Sequence, residues 1–212
     1  MKVRRNLLIA LSLLSLSANA QRIKGSDTVL PVAQQTAERF MNQHPDARVT
    51  VTGGGTGVGI SALMDNTTDI AMASRPIKFS EKMKTKEAGQ EVDEVIVAYD
   101  ALAVVVHPSN PVKQLTRQQL EDIFRGKITN WKDAGGNDAP IVVVGRESGS
   151  GTRSAFEELL ELEDVCKYSN ELDSTGAVMA KVASTPGAIG YVSLDVLDDT
   201  VKAVKLEGAE PT

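Results

Sequence analysis

Three times along this chain, a β-like run ends in a short turn of glycine and hydroxyl residues and passes straight into a helix-like run. The turns are Gly25-Ser26-Asp27-Thr28, Gly53-Gly54-Gly55-Thr56-Gly57 and Ser148-Gly149-Ser150-Gly151-Thr152. A strand that feeds a helix through a short turn is half of a βαβ unit, and repeating it commits a chain to α/β layering with mostly parallel sheets. The apolar periods agree. Residues 29–44 place Val29, Val32, Ala33, Thr36, Ala37 and Phe40 at helical spacing, and 47–52 alternate as a half-buried strand. Further strands are expected at 22–24, 69–73, 141–144, 188–192 and 201–206, with two β-rich runs across 92–106. Further helices are expected at 57–64, 79–89, 117–124, 152–160 and 174–184. Thr116 with Gln119 forms a capping-box pattern at the start of one of these.

With 212 residues the chain is long enough to bury a core as one domain or two small lobes. The expected division is a first lobe over 21–99 with a return segment at 200–212, and a second lobe over 100–199. Strand-like crossings near Asp100 and Asp199 would link them. Ahead of these lies a leader pattern: Lys2, Arg4 and Arg5, an apolar run at 7–16, and Ala18-Asn19-Ala20 as a small-x-small cleavage site. The run is too short to span a bilayer. Residues 1–20 therefore read as a signal peptide, and the mature chain as exported and soluble. The single cysteine, Cys166, has no internal disulfide partner and reads as a packing residue.

The net charge of −5, with both signs interspersed, leaves no electrostatic footprint for nucleic acid. Any attraction for an anion must come from local groups. The three turns supply them: helix starts present free N–H groups and a favourable dipole, glycine permits close approach, and Ser or Thr adds a donor. Arg146, at the end of a strand just before the third turn, adds a guanidinium able to make two parallel bonds to an oxyanion. Competing motifs are weaker. Gly145 to Thr152 lacks P-loop spacing and its lysine. Gly57-Val58-Gly59-Ile60-Ser61-Ala62 resembles a dinucleotide fingerprint but lacks a following acid. Two histidines, His44 and His107, offer little to a metal site or a catalytic triad. No metal, cofactor or catalytic chemistry is expected.

The stretches GSDTVLP (25–31), GGGTGVGI (53–60), DIAMASRPI (69–77), LTRQQLEDIFRGKITNW (115–131), GRESGSGTR (145–153) and STPGAIGYVSL (184–194) resemble the phosphate-binding proteins of bacterial ABC importers, within the type II periplasmic binding-protein fold. The resemblance implies two α/β lobes closing over inorganic phosphate, a monomeric periplasmic receptor, and a membrane permease as partner. It implies binding by Ser26, Thr28, Val29, Thr56, Arg146, Ser150, Gly151 and Thr152. Arg153 would bind, or pair with Glu147 or Glu157. Arg75 stands where some relatives carry an aspartate that accepts the proton of hydrogen phosphate; here it would add charge, and Asp27 or Glu147 would supply the acceptor. The alternatives are a receptor for another oxyanion, such as sulfate or molybdate, and an exported phosphatase-like enzyme. Relatives usually continue past the position of Pro211, so a shortened C-terminus with some uncovered apolar surface on the first lobe is expected.

Overall fold

The computed structural model describes residues 20–209. The leader expected over 1–20 lies, apart from Ala20, outside them. Two sheets divide the chain. The first half gives β1 (Ala20–Gly25), α1 (Leu30–Gln43), β2 (Arg48–Thr52), α2 (Thr56–Met64), β3 (Ile70–Met72) and α3 (Phe79–Glu87). Its sheet has the order β2-β1-β3 and is wholly parallel. β1 is central, with β2 reached through α1 on one side and β3 reached from β2 through α2 on the other, so the turns leaving the three parallel strands share one end of the sheet. That end is where ligands of open α/β sheets bind.

The second half gives β4 (Leu102–Val106), β5 (Gln114–Leu115), α4 (Arg117–Phe124), β6 (Val142–Arg146), α5 (Gly151–Leu159), β7 (Asn170–Leu172), α6 (Thr175–Ser184), β8 (Ala188–Ser193) and β9 (Lys202–Leu206). Its sheet runs β5-β9-β4-β8-β6-β7. The parallel pairs are β5 with β9, and β6 with both β7 and β8; β4 is antiparallel to both of its neighbours. The sheet is therefore mixed, with one reversed strand among otherwise parallel pairings. The main core lies on its two faces. Val106, Leu120, Ile123, Phe124, Trp131 and Ile189 pack on one side, and Val105, Val144, Val178, Val182 and Val192 on the other. The continuous apolar runs of β4, β6 and β8 are what a strand covered on both faces requires.

Three sequence expectations are corrected. The return segment at 200–212 does not rejoin the first lobe through Lys202–Leu206: β9 sits between β4 and β5, with Val204 opposite Val104 and both buried. The crossing expected near Asp199 is accordingly internal to the second lobe. Of the two β runs in 92–106 only the second forms a strand. Residues 91–101 form no regular element and expose Val95, Ile96, Val97 and Tyr99. A strand needs a ladder of backbone hydrogen bonds to a neighbour, and among the described residues this segment pairs with no strand. The helical stripe of α1 is only partly covered: Ala37 is buried, while Val32 and Phe40 remain exposed.

Candidate functional site

Helix starts from both lobes meet at one point. Neither α1 nor α2 has a side-chain cap at its start, so their first-turn N–H groups have no partner from that source. The turn before α2 needs glycine: Gly54 and Gly55 have φ of 120° and 88°, where other residues are strained. The start of α5 is capped by Ser150, whose Oγ accepts from Arg153 N at 3.2 Å. Ser150 thus serves the helix first, and the amides of Gly151 and Thr152 stand in a turn that no intrahelical carbonyl reaches.

Four hydroxyls form a connected chain at this meeting point. Thr28 Oγ1 is hydrogen-bonded to Thr152 Oγ1 at 2.6 Å, across 124 residues of sequence. Thr152 Oγ1 is 3.4 Å from Ser74 Oγ, and Ser74 Oγ is 3.3 Å from Thr56 Oγ1. Ser74 N donates to Thr56 Oγ1 at 3.1 Å. Thr28, Thr56 and Thr152 are all buried. Gly151 has to be glycine here, because a Cβ on it would lie 2.3 Å from Thr56 Oγ1 and 2.6 Å from Ser74 Oγ. The backbones join as well: Gly57 N donates to Gly149 O at 2.9 Å. Ser26 is buried beside the cluster, its Oγ accepting from Val29 N at 3.4 Å.

Arg146 is 1% exposed, and its guanidinium is ringed by acceptors. Nε donates to Leu172 O, Nη1 to Thr175 Oγ1, and Nη2 to both Asp173 O and Asp27 Oδ2, the last at 2.9 Å. Asp27 reaches a third loop too, since its Oδ1 accepts from Gly54 N at 3.0 Å. Its carboxylate therefore ties the turn after β1 to the turn after β2 and to the end of β6.

An aromatic and ionic network holds β6 and α5 in place behind the site. Phe156 stacks on Tyr191 at 4.0 Å, and the Tyr191 hydroxyl accepts from Arg146 N. Burial pushes the Tyr191 hydroxyl up to about 12, and pushes that of Tyr168 higher still. Arg153 pairs with Glu157 and Glu171, donates to Arg146 O, and lies over the Tyr168 ring. Its predicted pairing with Glu157 is met and that with Glu147 is not. Arg153 Nε and Nη1 are thus turned to this network behind the site.

Of the sequence-selected residues, the structure brings together Ser26, Thr28, Val29, Thr56, Ser150, Gly151 and Thr152, with Arg146 joined to the same turns through Asp27. Arg75 is placed differently. Its Nη1 and Nη2 grip Glu81 at 2.8 and 2.7 Å, at the start of α3, and no hydrogen bond joins it to the hydroxyl cluster; only Nε is buried without a partner. Although burial opposes it, this pairing holds the Glu81 carboxyl below the usual range. The residue of that segment that faces the cluster is Ser74. Sequence reasoning passed over it, yet the signal was present: a hydroxyl just beyond a strand end, as in the other turns.

Residues 15–210 match the PBP superfamily domain. The phosphate-binding protein PstS of Bacillus subtilis is 37% identical over 191 residues, spanning 89% of this chain and 62% of its own length. The chain thus spans about three fifths of the curated relatives it matches. A solved structure from Clostridium perfringens, described as a phosphate ABC transporter substrate-binding protein with bound phosphate, is 44% identical. It has a TM-score of 0.84, over 92% of this chain and 78% of that one. An ABC-type phosphate transport receptor from Vibrio cholerae is 39% identical with a TM-score of 0.70, over 91% and 78%. Two α/β lobes that meet through their helix starts, the extent of the domain match and these likenesses give one result: the chain belongs to the PBP superfamily, with its two-lobed type II fold.

Proposed function

We propose that this chain is a receptor for inorganic phosphate. In this reading it is exported by the leader at 1–20, works in the periplasm as a monomer, and hands phosphate to the permease of an ABC importer without metal, cofactor or covalent chemistry. The observation that carries the reading is the chain of hydroxyls Thr28–Thr152–Ser74–Thr56, built from both lobes beside the starts of α1, α2 and α5. Such a point donates from every side, which suits a tetrahedral oxyanion stripped of water. The hydroxyls now bond to one another, so an entering anion replaces those bonds and takes donors from each lobe. Contacts from both lobes at once favour the shut state, which makes closure ligand-dependent. Ser26, Val29, Ser150, Gly151 and Arg146 complete the proposed site, while Arg75, paired with Glu81, stands outside it.

The names of the relatives support phosphate in particular. The specific observation favouring a second reading, another oxyanion such as sulfate, is Arg75 in a segment where an acceptor would discriminate. Calorimetric titration with phosphate and then sulfate separates the two: heat with phosphate and none with sulfate is expected. Absence of any phosphate binding would sink the receptor reading. A phosphate-ester turnover assay is expected to release nothing.

A further inference from the structure

We propose that Asp27 is a positioning residue that works as an internal clasp: acting through Arg146, it keeps the closed cleft populated before phosphate arrives and so slows the anion's entry. The kinetic half of the inference rests on the phosphate reading above; the conformational half does not. Asp27 lies in the turn after β1, in the first lobe. Its Oδ2 accepts from Nη2 of Arg146, in the second lobe, at 2.9 Å, and its Oδ1 accepts from Gly54 N at 3.0 Å. A guanidinium and a turn amide are the groups a bound anion would take, so this carboxylate already holds across the lobes what a ligand would hold. The pair is largely buried. The neighbouring turn is shaped to it, because a Cβ on Gly53 would lie 2.3 Å from Asp27 Oδ1.

In this closed arrangement Thr28, Thr56, Arg146, Ser150 and Thr152 are all buried. An anion reaches them only after the lobes part. Parting breaks the Asp27–Arg146 pair, the Thr28–Thr152 bond and the bond from Gly57 N to Gly149 O. The neutral groups exchange their partners for water at small net cost. The ion pair differs. Leu172 O, Thr175 Oγ1 and Asp173 O belong to the same lobe as Arg146 and hold its guanidinium however the lobes stand. Its desolvation is thus met within its own lobe, and Asp27 supplies the one counter-charge among these partners. That attraction acts in a contact of low dielectric, where it is strong and little screened. Closure therefore begins without a ligand, and phosphate shifts the same equilibrium further. Association is slowed by the fraction of molecules that are already shut.

The test compares wild type with Asp27→Asn and Asp27→Ala, after thermal melts establish that each is folded. In small-angle scattering without ligand, the variants are expected to show a larger radius of gyration than wild type. Phosphate is expected to compact them more than it compacts wild type. In stopped-flow mixing with phosphate, the variants are expected to associate about threefold faster or more, because a larger fraction is open. Mixing is done in about 1 M salt, where screening over about 3 Å removes the steering gained by deleting a negative charge. Damage to the site alone would slow association, so a faster rate separates a clasp from a merely structural role. Equal radii without ligand overturn the inference, and so does association at the wild-type rate or below it. If neither Asp27 variant folds, Arg146→Gln breaks the same pair from the other side, and the scattering comparison decides in the same way. Wild type that binds no phosphate defeats the phosphate reading, while the scattering without ligand still tests the clasp.

Discussion

Arg146 and Asp27, 119 residues apart, form a 2.9 Å ion pair between the end of β6 in one lobe and the turn after β1 in the other. Their side chains are 2% and 14% exposed. Removing one partner from a buried charge pair leaves the other uncompensated. Arg146→Ala is therefore expected to weaken phosphate binding by about 2–5 kcal/mol, and to loosen the lobe junction as well. Titration calorimetry measures the first effect, and an unchanged affinity would remove Arg146 from the site.

Thr28→Val keeps the shape of the side chain and deletes the hydroxyl bonded to Thr152. Loss of one donor to a charged ligand is expected to cost about 1.5–3 kcal/mol of phosphate affinity. The same change at Thr36, whose hydroxyl bonds back to Val32 O on exposed α1, is expected to leave affinity unaltered. Equal effects at the two positions would argue against the cluster as the site.

Gly151→Ala places a methyl against Thr56 Oγ1 and Ser74 Oγ, both in the other lobe. Overpacking of this kind is expected to cost about 1–3 kcal/mol in binding, because it props the two turns apart. Gly176→Ala, at a helix start where a Cβ meets nothing within 4 Å, is the control and should bind as wild type does.

Arg75→Ala strips Glu81 of its guanidinium partner at the start of α3. Because Glu81 is partly exposed, the expected loss is about 1–3 kcal/mol of stability. Phosphate affinity is expected to move by less than the Arg146→Ala effect. Urea unfolding and calorimetry together check both halves; the reverse order of effects would place Arg75 at the ligand.

Alkaline pH tests the network behind β6. The Tyr191 hydroxyl titrates at 10.0 when unfolded and at about 12 in the fold, raised chiefly by burial. A raised value favours the protonated fold, so its stabilisation is full below the unfolded value and declines as pH rises from there toward about 12. Each unit in that window should remove about 1.4 kcal/mol through Tyr191, with Tyr168 adding to it. Urea midpoints measured across the window should fall, and a flat profile would contradict the burial argument. Tyr168→Phe is expected to make the fall shallower.

Much of this protein was legible in its residues. The alternation of periods located most of the helices and strands, because a one-sided or fully buried element must repeat at 3.6 or 2 residues wherever it lies. The Gly and Ser/Thr turns identified the helix starts, because positive φ and open amides have local causes. The short strands β5 and β7 escaped notice, since two or three residues carry no period.

What the chain order left open was which elements become neighbours. Period marks a strand but not its partner: the residues of β9 carry no sign that they pair with β4 and β5, nor those of 92–99 that they pair with no strand. Likewise, residue type made Arg75 a candidate for the anion, but only the fold placed Glu81 within reach of its fork. The pairing of Arg146 with Asp27, the bond between Thr28 and Thr152, and the unpartnered oxygen of Glu147 all arise where the two lobes touch. Local sequence specifies which donors and acceptors exist. Long-range packing decides which of them face one another and which one is left without a partner.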